Sequence, residues 1–201
     1  FTKMVHNGVE YGMLQGIADV FAYCNQDKHY MAQVLREAEN SDISGYLTNS
    51  ALQVLDNYKI HKIADVGQMN NTGLWCSQIG LEYGIPTPTI NSAVNARFTS
   101  RHVKAINTAQ HLNYAIDPIV GLDTLRFVFA TSILEGFELM NTRHVKDESI
   151  KRAWSSGTII ECPMIRENCR NIIEETVDNA RVLMMYCTSG SIPCPAVQAA
   201  L

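Results

Sequence analysis

The spacing of apolar residues limits the fold more than any other feature. Leu125, Phe129, Ile133, Phe137 and Met140 stand at i, i+4, i+8, i+12 and i+15, which lines large side chains along one face of a helix. Met13, Ile17, Val20 and Phe21 form a similar stripe in a helix predicted over 2–23. Strict apolar/polar alternation never persists long enough to make a strand. The expected architecture is therefore a single all-α domain, and 201 residues suffice to bury a sizeable core.

Further helices are expected over 28–39, 46–57, 123–141, 147–154 and 166–187, the last closed by Gly190 in a C′ position, with an apolar segment over 196–201. A polar loop over 68–73 leads into a helix that carries Trp75, Ile79 and Leu81, with Trp75 in the core, and that stops at Gly84. Pro86 and Pro88 forbid its continuation, since each lacks an amide hydrogen and restricts the residue before it. A new helix is expected from Thr89 or Asn91, carrying Val94, Phe98, Val103 and Ile106 and fading near His111. Connectors are expected over 40–45, 59–67 and 113–122.

Composition removes several function classes. Twenty acidic against sixteen basic residues give a net charge of −4, so no basic field is available to grip nucleic acid. No apolar run approaches the ~18 residues of a membrane span, so no membrane partner is expected. Six cysteines without a C-x-x-C pair read as reduced, buried thiols in a cytoplasmic protein. His29, His61, His102, His111 and His144 are scattered without metal spacing.

The most informative stretch opens the chain: Lys3-Met4-Val5-His6-Asn7-Gly8-Val9-Glu10-Tyr11. At 3.6 residues per turn, Lys3, His6, Asn7, Glu10 and Tyr11 share one helix face. A stripe that mixes cation, imidazole, amide, carboxylate and phenol on an otherwise apolar helix suits the lining of a cleft, with Gly8 leaving room for close approach. His6 and Glu10 lack a third ligand nearby, so no metal site is expected. A lysine whose pKa is lowered by burial can take a proton from a hydroxyl while a nearby carboxyl supplies one elsewhere. That pairing suits oxidation of an alcohol. The hydride acceptor would have to be held elsewhere, because no G-x-G-x-x-G follows a strand in this sequence.

The stretch K-M-V-H-N-G-V-E-Y-G resembles the signature that opens the helical domain of decarboxylating 6-phosphogluconate dehydrogenases. The resemblance continues in order through Gly73-Leu74-Trp75, Leu81 to Pro86, Ala93 to Arg97, Trp154 to Ile160 and Ile192-Pro193 to Gln198-Ala199. It implies a C-terminal catalytic domain preceded by a Rossmann domain that binds NADP, an oxidoreductase of the pentose phosphate pathway type, and a homodimer whose tails complete each other's sites. By that resemblance Lys3 would be the base and Glu10 the acid of an oxidative decarboxylation. His6 and Asn7 would contact the substrate, Asn7 would also contact the cofactor, and Tyr11, Thr72 and Arg97 would surround the phosphate of a sugar-acid phosphate.

The chain departs from the family pattern at Asn70, where the family has a lysine, at Glu161, where it has an arginine, and at Leu201, which stands where an arginine reaches the partner's site. Two cations lost from a phosphate pocket would remove roughly 1.5–3 kcal/mol each. Arg101, His102 and Lys104 lie one turn beyond Arg97, where they could supply a substitute. These departures leave open a dehydrogenase of another 3-hydroxy acid. A non-catalytic helical dimerisation module is a further alternative.

Overall fold

In the computed structural model, residues 1–64, 66–102 and 117–201 are described. The described residues form helices and short 3₁₀ turns without strands, as the spacing predicts. The helices are α1 (Thr2–Tyr23), α2 (Lys28–Ala38), α3 (Tyr46–Asn57), α4 (Asn71–Tyr83), α5 (Pro88–His102), α6 (Pro118–Asn141), α7 (Asp147–Trp154), α8 (Cys169–Ser189) and α9 (Pro195–Ala200). None is long and apolar enough to cross a membrane.

The two long helices α1 and α6 form the centre. Leu125, Phe129, Ile133, Phe137 and Met140 are all buried, and α6 packs between α1, α2 and α8. Helix α1 lets its neighbours close through glycines one turn apart. Gly8 faces Cys76 of α4, Gly12 faces Ser132 of α6, and a Cβ on Gly16 would lie 2.7 Å from Val128 Cγ1. Gly8 thus admits a neighbouring helix, and the group that approaches it is the Cys76 side chain. All six cysteines are free and buried.

Helix starts follow their caps. Asp27 accepts the His29 amide at 2.7 Å, Asp117 that of Ile119 at 2.9 Å and Asn168 that of Arg170 at 3.1 Å, each satisfying an otherwise orphaned donor. Asp117-Pro118 therefore opens α6 five residues before the expected start, because proline at the first helical position has no amide to lose. The helix expected from 166 begins at Cys169, after a 3₁₀ turn over Pro163–Arg166. Helix α4 ends on Gly84 in the left-handed region at φ 66°, whereas Gly190 sits at φ −91° and Ser191 takes the left-handed turn instead. The expected positions Val103, Ile106, Lys104 and His111 lie outside the described residues.

Trp75 corrects another expectation: it is 50% exposed. Helix α4 turns its small face inward, burying Gly73, Cys76, Ser77 and Gly80 and leaving Trp75 and Leu81 outside. Close approach to α1 excludes bulk from that face, so size points the wrong way.

Arg126 ties α6 to the connector after α2. Its Nε donates to Asp42 Oδ1 at 2.9 Å and its Nη2 to Asp42 Oδ2 at 3.0 Å, with Asp123 and Glu175 at 3.2 Å. The Arg126 and Asp42 side chains are only 17% and 10% exposed. Arg126→Ala is expected to destabilise the chain by about 2–3 kcal/mol, because Asp42 loses its counter-charge where water compensates poorly. Urea unfolding checks this as a lower midpoint at unchanged slope.

Candidate active site

The first three turns of α1 carry the polar stripe, and α4 and α5 close around its lower half. Tyr11 is buried against Ala93 and Val94 of α5, with Met69 and Leu74 beside them. Gly73 is required here, since a Cβ at that position would strike the Tyr11 ring. The Arg97 guanidinium carbon lies 3.8 Å from the centre of that ring, a cation–π geometry. Its Nη1 donates to the Gln68 carbonyl at 2.8 Å.

A directed hydrogen-bond chain links the stripe to the start of α4. Asn7 Nδ2 donates to Thr72 Oγ1 at 2.9 Å. Its Oδ1 therefore accepts, and His6 Nδ1, 3.1 Å away, must be the donor. Thr72 Oγ1 donates to Asn70 Oδ1 in a short contact. Tyr11 donates its hydroxyl to the Asn70 carbonyl at 3.0 Å and to Asn70 Oδ1 at 3.1 Å. Asn70 thus occupies both hydroxyls of the cluster, and it is the N-cap of α4 without capping a backbone amide. This converts the expected polar loop at 71–73 into helix.

His6 is further fixed by Trp154 of α7, edge-on at 6.2 Å, and its Nε2 is buried with no hydrogen-bond partner among the described residues. Burial raises the Glu10 pKa from its ordinary value, opposed by the nearby His6 and Arg97 charges. Burial lowers that of Arg97, with Tyr11 and Glu10 opposing and Arg101 adding to the depression. Arg101 is thus close enough to act on the pocket. Beside Arg97 a groove of about 770 Å³ runs between α1, α5 and α9, lined among others by Gln15, Asn95 and Gln198.

The structure therefore brings Asn7, Tyr11, Thr72 and Arg97 together, with His6 and Glu10 adjoining. Lys3 stands exposed on the first turn of α1, so the described residues do not supply the burial expected around it. Glu161 is also placed differently from the expectation. Its carboxylate accepts the Gly157 amide at 2.6 Å, and its backbone abuts Gly45 at the start of α3, so it takes no cation away from the Tyr11 cluster. Sequence reasoning missed the acceptor role of Asn70 and the Gln68 carbonyl, because neither residue type announces a partner across the fold. The spacing of Gly8, Gly12 and Gly16 was the available signal for helices closing on this face.

A family model described as 6-phosphogluconate dehydrogenase, C-terminal domain, matches residues 1–167. The chain is 34% identical over 110 residues to the decarboxylating 6-phosphogluconate dehydrogenase of Escherichia coli (strain K12), covering 50% of this chain and 24% of that protein. It is 26% identical over 195 residues to the enzyme of the same name from Lactococcus lactis subsp. lactis (strain IL1403), covering 83% and 41%. The fold is similar to that of Plasmodium falciparum 6-phosphogluconate dehydrogenase, solved in its apo form, with its cofactor NADP+ and with its substrate 6-phosphogluconate. The TM-score is 0.81 at 22% identity, covering 99% of this chain and 53% of that one. The chain thus spans under half the length of these curated relatives. A family match that runs from the polar stripe of α1 into the 3₁₀ turn before α8, on a helical fold of the same shape, means that this chain belongs to the 6-phosphogluconate dehydrogenase family and corresponds to its C-terminal domain.

Proposed function

We propose that this chain is the catalytic helical domain of a cytoplasmic, homodimeric enzyme that oxidises and decarboxylates 6-phosphogluconate to ribulose 5-phosphate. The observation that carries the reading is the α1 face, where Asn7, Tyr11, Thr72 and Arg97 come together with His6 and Glu10 adjoining and Lys3 exposed one turn before them. Lys3 takes the C3 hydroxyl proton. The C3 hydride would pass to NADP, which a domain outside this chain would mainly hold. Asn7 fits a contact with the cofactor, because its amide keeps a second hydrogen and a second lone pair beyond its bonds to Thr72 and His6. Protonated Lys3 then polarises the 3-keto group as CO2 leaves, and Glu10, whose proton is held more tightly through burial, protonates C1 of the enediol. Substrate and cofactor domain together supply the enclosure that Lys3 lacks here. The 201-residue chain alone is expected to show no turnover.

Asn70 favours a second reading, a dehydrogenase of an unphosphorylated 3-hydroxy acid. It takes the Tyr11 and Thr72 hydroxyl protons that would otherwise be offered to a phosphate. Asn70→Lys frees the Thr72 hydroxyl, leaves that of Tyr11 on the backbone carbonyl of residue 70 alone, and adds a cation, so the KM for 6-phosphogluconate is expected to fall about 10-fold or more. Steady-state kinetics of the two-domain enzyme checks this. An unchanged KM would place the phosphate elsewhere.

A further inference from the structure

Helices α1, α4, α5 and α6 meet around one buried carboxylate. Glu135 of α6 is 6% exposed, and the first turn of α5 engages both of its oxygens. Oε1 accepts the Thr89 amide at 2.8 Å and Oε2 the Ile90 amide at 3.0 Å. Thr89 and Ile90 themselves lie over Gly12 and Gly8 of α1. The titratable group that faces Glu135 from α4 is the Cys76 thiol, which burial pushes up to about 12. No ion pair to Glu135 forms among the described residues.

A carboxylate offers a separate oxygen to each of the two adjacent amides. An amide in its place would turn an NH₂ group toward one of them. Burial pushes the Glu135 carboxyl up to about 7, so the two-point grip is held against a desolvation penalty. From Thr89 the helix runs eight residues, about 12 Å, to Arg97 over the Tyr11 ring.

We propose that Glu135 is a positioning residue whose grip on the Thr89 and Ile90 amides sets the placement of α5, and with it the seating of the Arg97 guanidinium on Tyr11. Protonation leaves the carboxyl one good acceptor, releases one of the two amides and loosens that seating. Any bearing on turnover rests on the proposed function, in which Arg97 and Tyr11 contact substrate. The coupling within the fold does not.

The test is an NMR titration of the 201-residue chain from pH 5 to 9. It follows the Glu135 carboxyl carbon, the Thr89 and Ile90 amides, the Arg97 Nε–H and the Tyr11 ring. All are expected to move with one midpoint. In Glu135→Gln the transition at Arg97 and Tyr11 should vanish, while the Ala196 and Val197 amides, bonded to Asp19, still titrate. Glu10 and Arg101 are the other charged groups acting on Arg97, and Glu10 is read in the same spectra. The proposal is overturned if Arg97 follows the Glu10 midpoint, or keeps its transition in Glu135→Gln. It is equally overturned if Thr89 and Ile90 titrate while Arg97 and Tyr11 stay still. The wild-type midpoints decide the matter even if the variant fails to fold. In the two-domain enzyme Glu135→Gln should raise KM severalfold with little change in kcat, and an enzyme inactive toward every acid would leave the NMR result standing.

Discussion

Replacing Lys3 by methionine is expected to lower kcat of the two-domain enzyme by ~10²–10⁴-fold, the usual contribution of a positioned proton acceptor. Helix content and unfolding temperature should stay where they are, because Lys3 is exposed on the first turn of α1 and its removal opens no cavity. That combination separates chemistry from packing. Glu10→Gln should act on a later step, slowing protonation of the enediol while hydride transfer persists, which single-turnover absorbance of the reduced cofactor would resolve. A Lys3→Met enzyme with normal turnover would remove the lysine from the chemistry altogether.

The second large effect is on stability and runs opposite to ordinary acid denaturation. Asp19 of α1 is 1% exposed. Its Oδ2 accepts the Ala196 and Val197 amides at 2.7 and 3.1 Å, fastening the start of α9, and its Oδ1 accepts from Gln15 at 2.8 Å. Burial pushes its carboxyl up to about 7 against those hydrogen bonds. A carboxyl raised from 3.8 to about 7 makes the folded state bind more protons than the unfolded state between those values. The stabilisation is therefore complete below the unfolded value and is lost as pH rises through about 7. Its size is on the order of 4 kcal/mol at 1.36 kcal/mol per pH unit. Glu135 acts in the same direction between 4.5 and about 7.

Asp19→Asn keeps an oxygen for the α9 amides and removes the titration, since the Gln15 amide can turn to face the new NH₂. The variant should gain stability relative to wild type between pH 5 and pH 8 and show a flatter stability profile. Urea unfolding at the two pH values measures the difference. Parallel profiles for the two proteins would show that Asp19 is not held in its protonated form by the fold.

The parts of the fold that were legible in the sequence are those where one local signal acts alone. Helices α1, α3 and α7 begin and end where the spacing places them, and the α6 stripe is buried throughout. Errors arose where two signals compete. Asp117-Pro118 reads as a loop by composition but is a cap followed by a first helical turn. The residues from Asn71 read as polar loop, yet Asn70 spends its side chain on Tyr11 and Thr72 and the helix starts behind it. Trp75 follows size rather than the closeness that Gly73 and Gly80 impose. The α1 stripe was legible because its residues are neighbours on one helix. Asn70, Gln68 and Glu135 were not, because each acts on a partner that only the packing of separate helices brings near.

The most direct test of the proposed reaction is initial-rate reduction of NADP by the two-domain enzyme, with 6-phosphogluconate and gluconate supplied in parallel and CO2 release followed alongside. Reduced cofactor and CO2 in equal amounts, from the phosphorylated acid only, are the expected result. Turnover with gluconate alone, or reduction without CO2, would contradict the proposed reaction and move the assignment to a dehydrogenase of another 3-hydroxy acid.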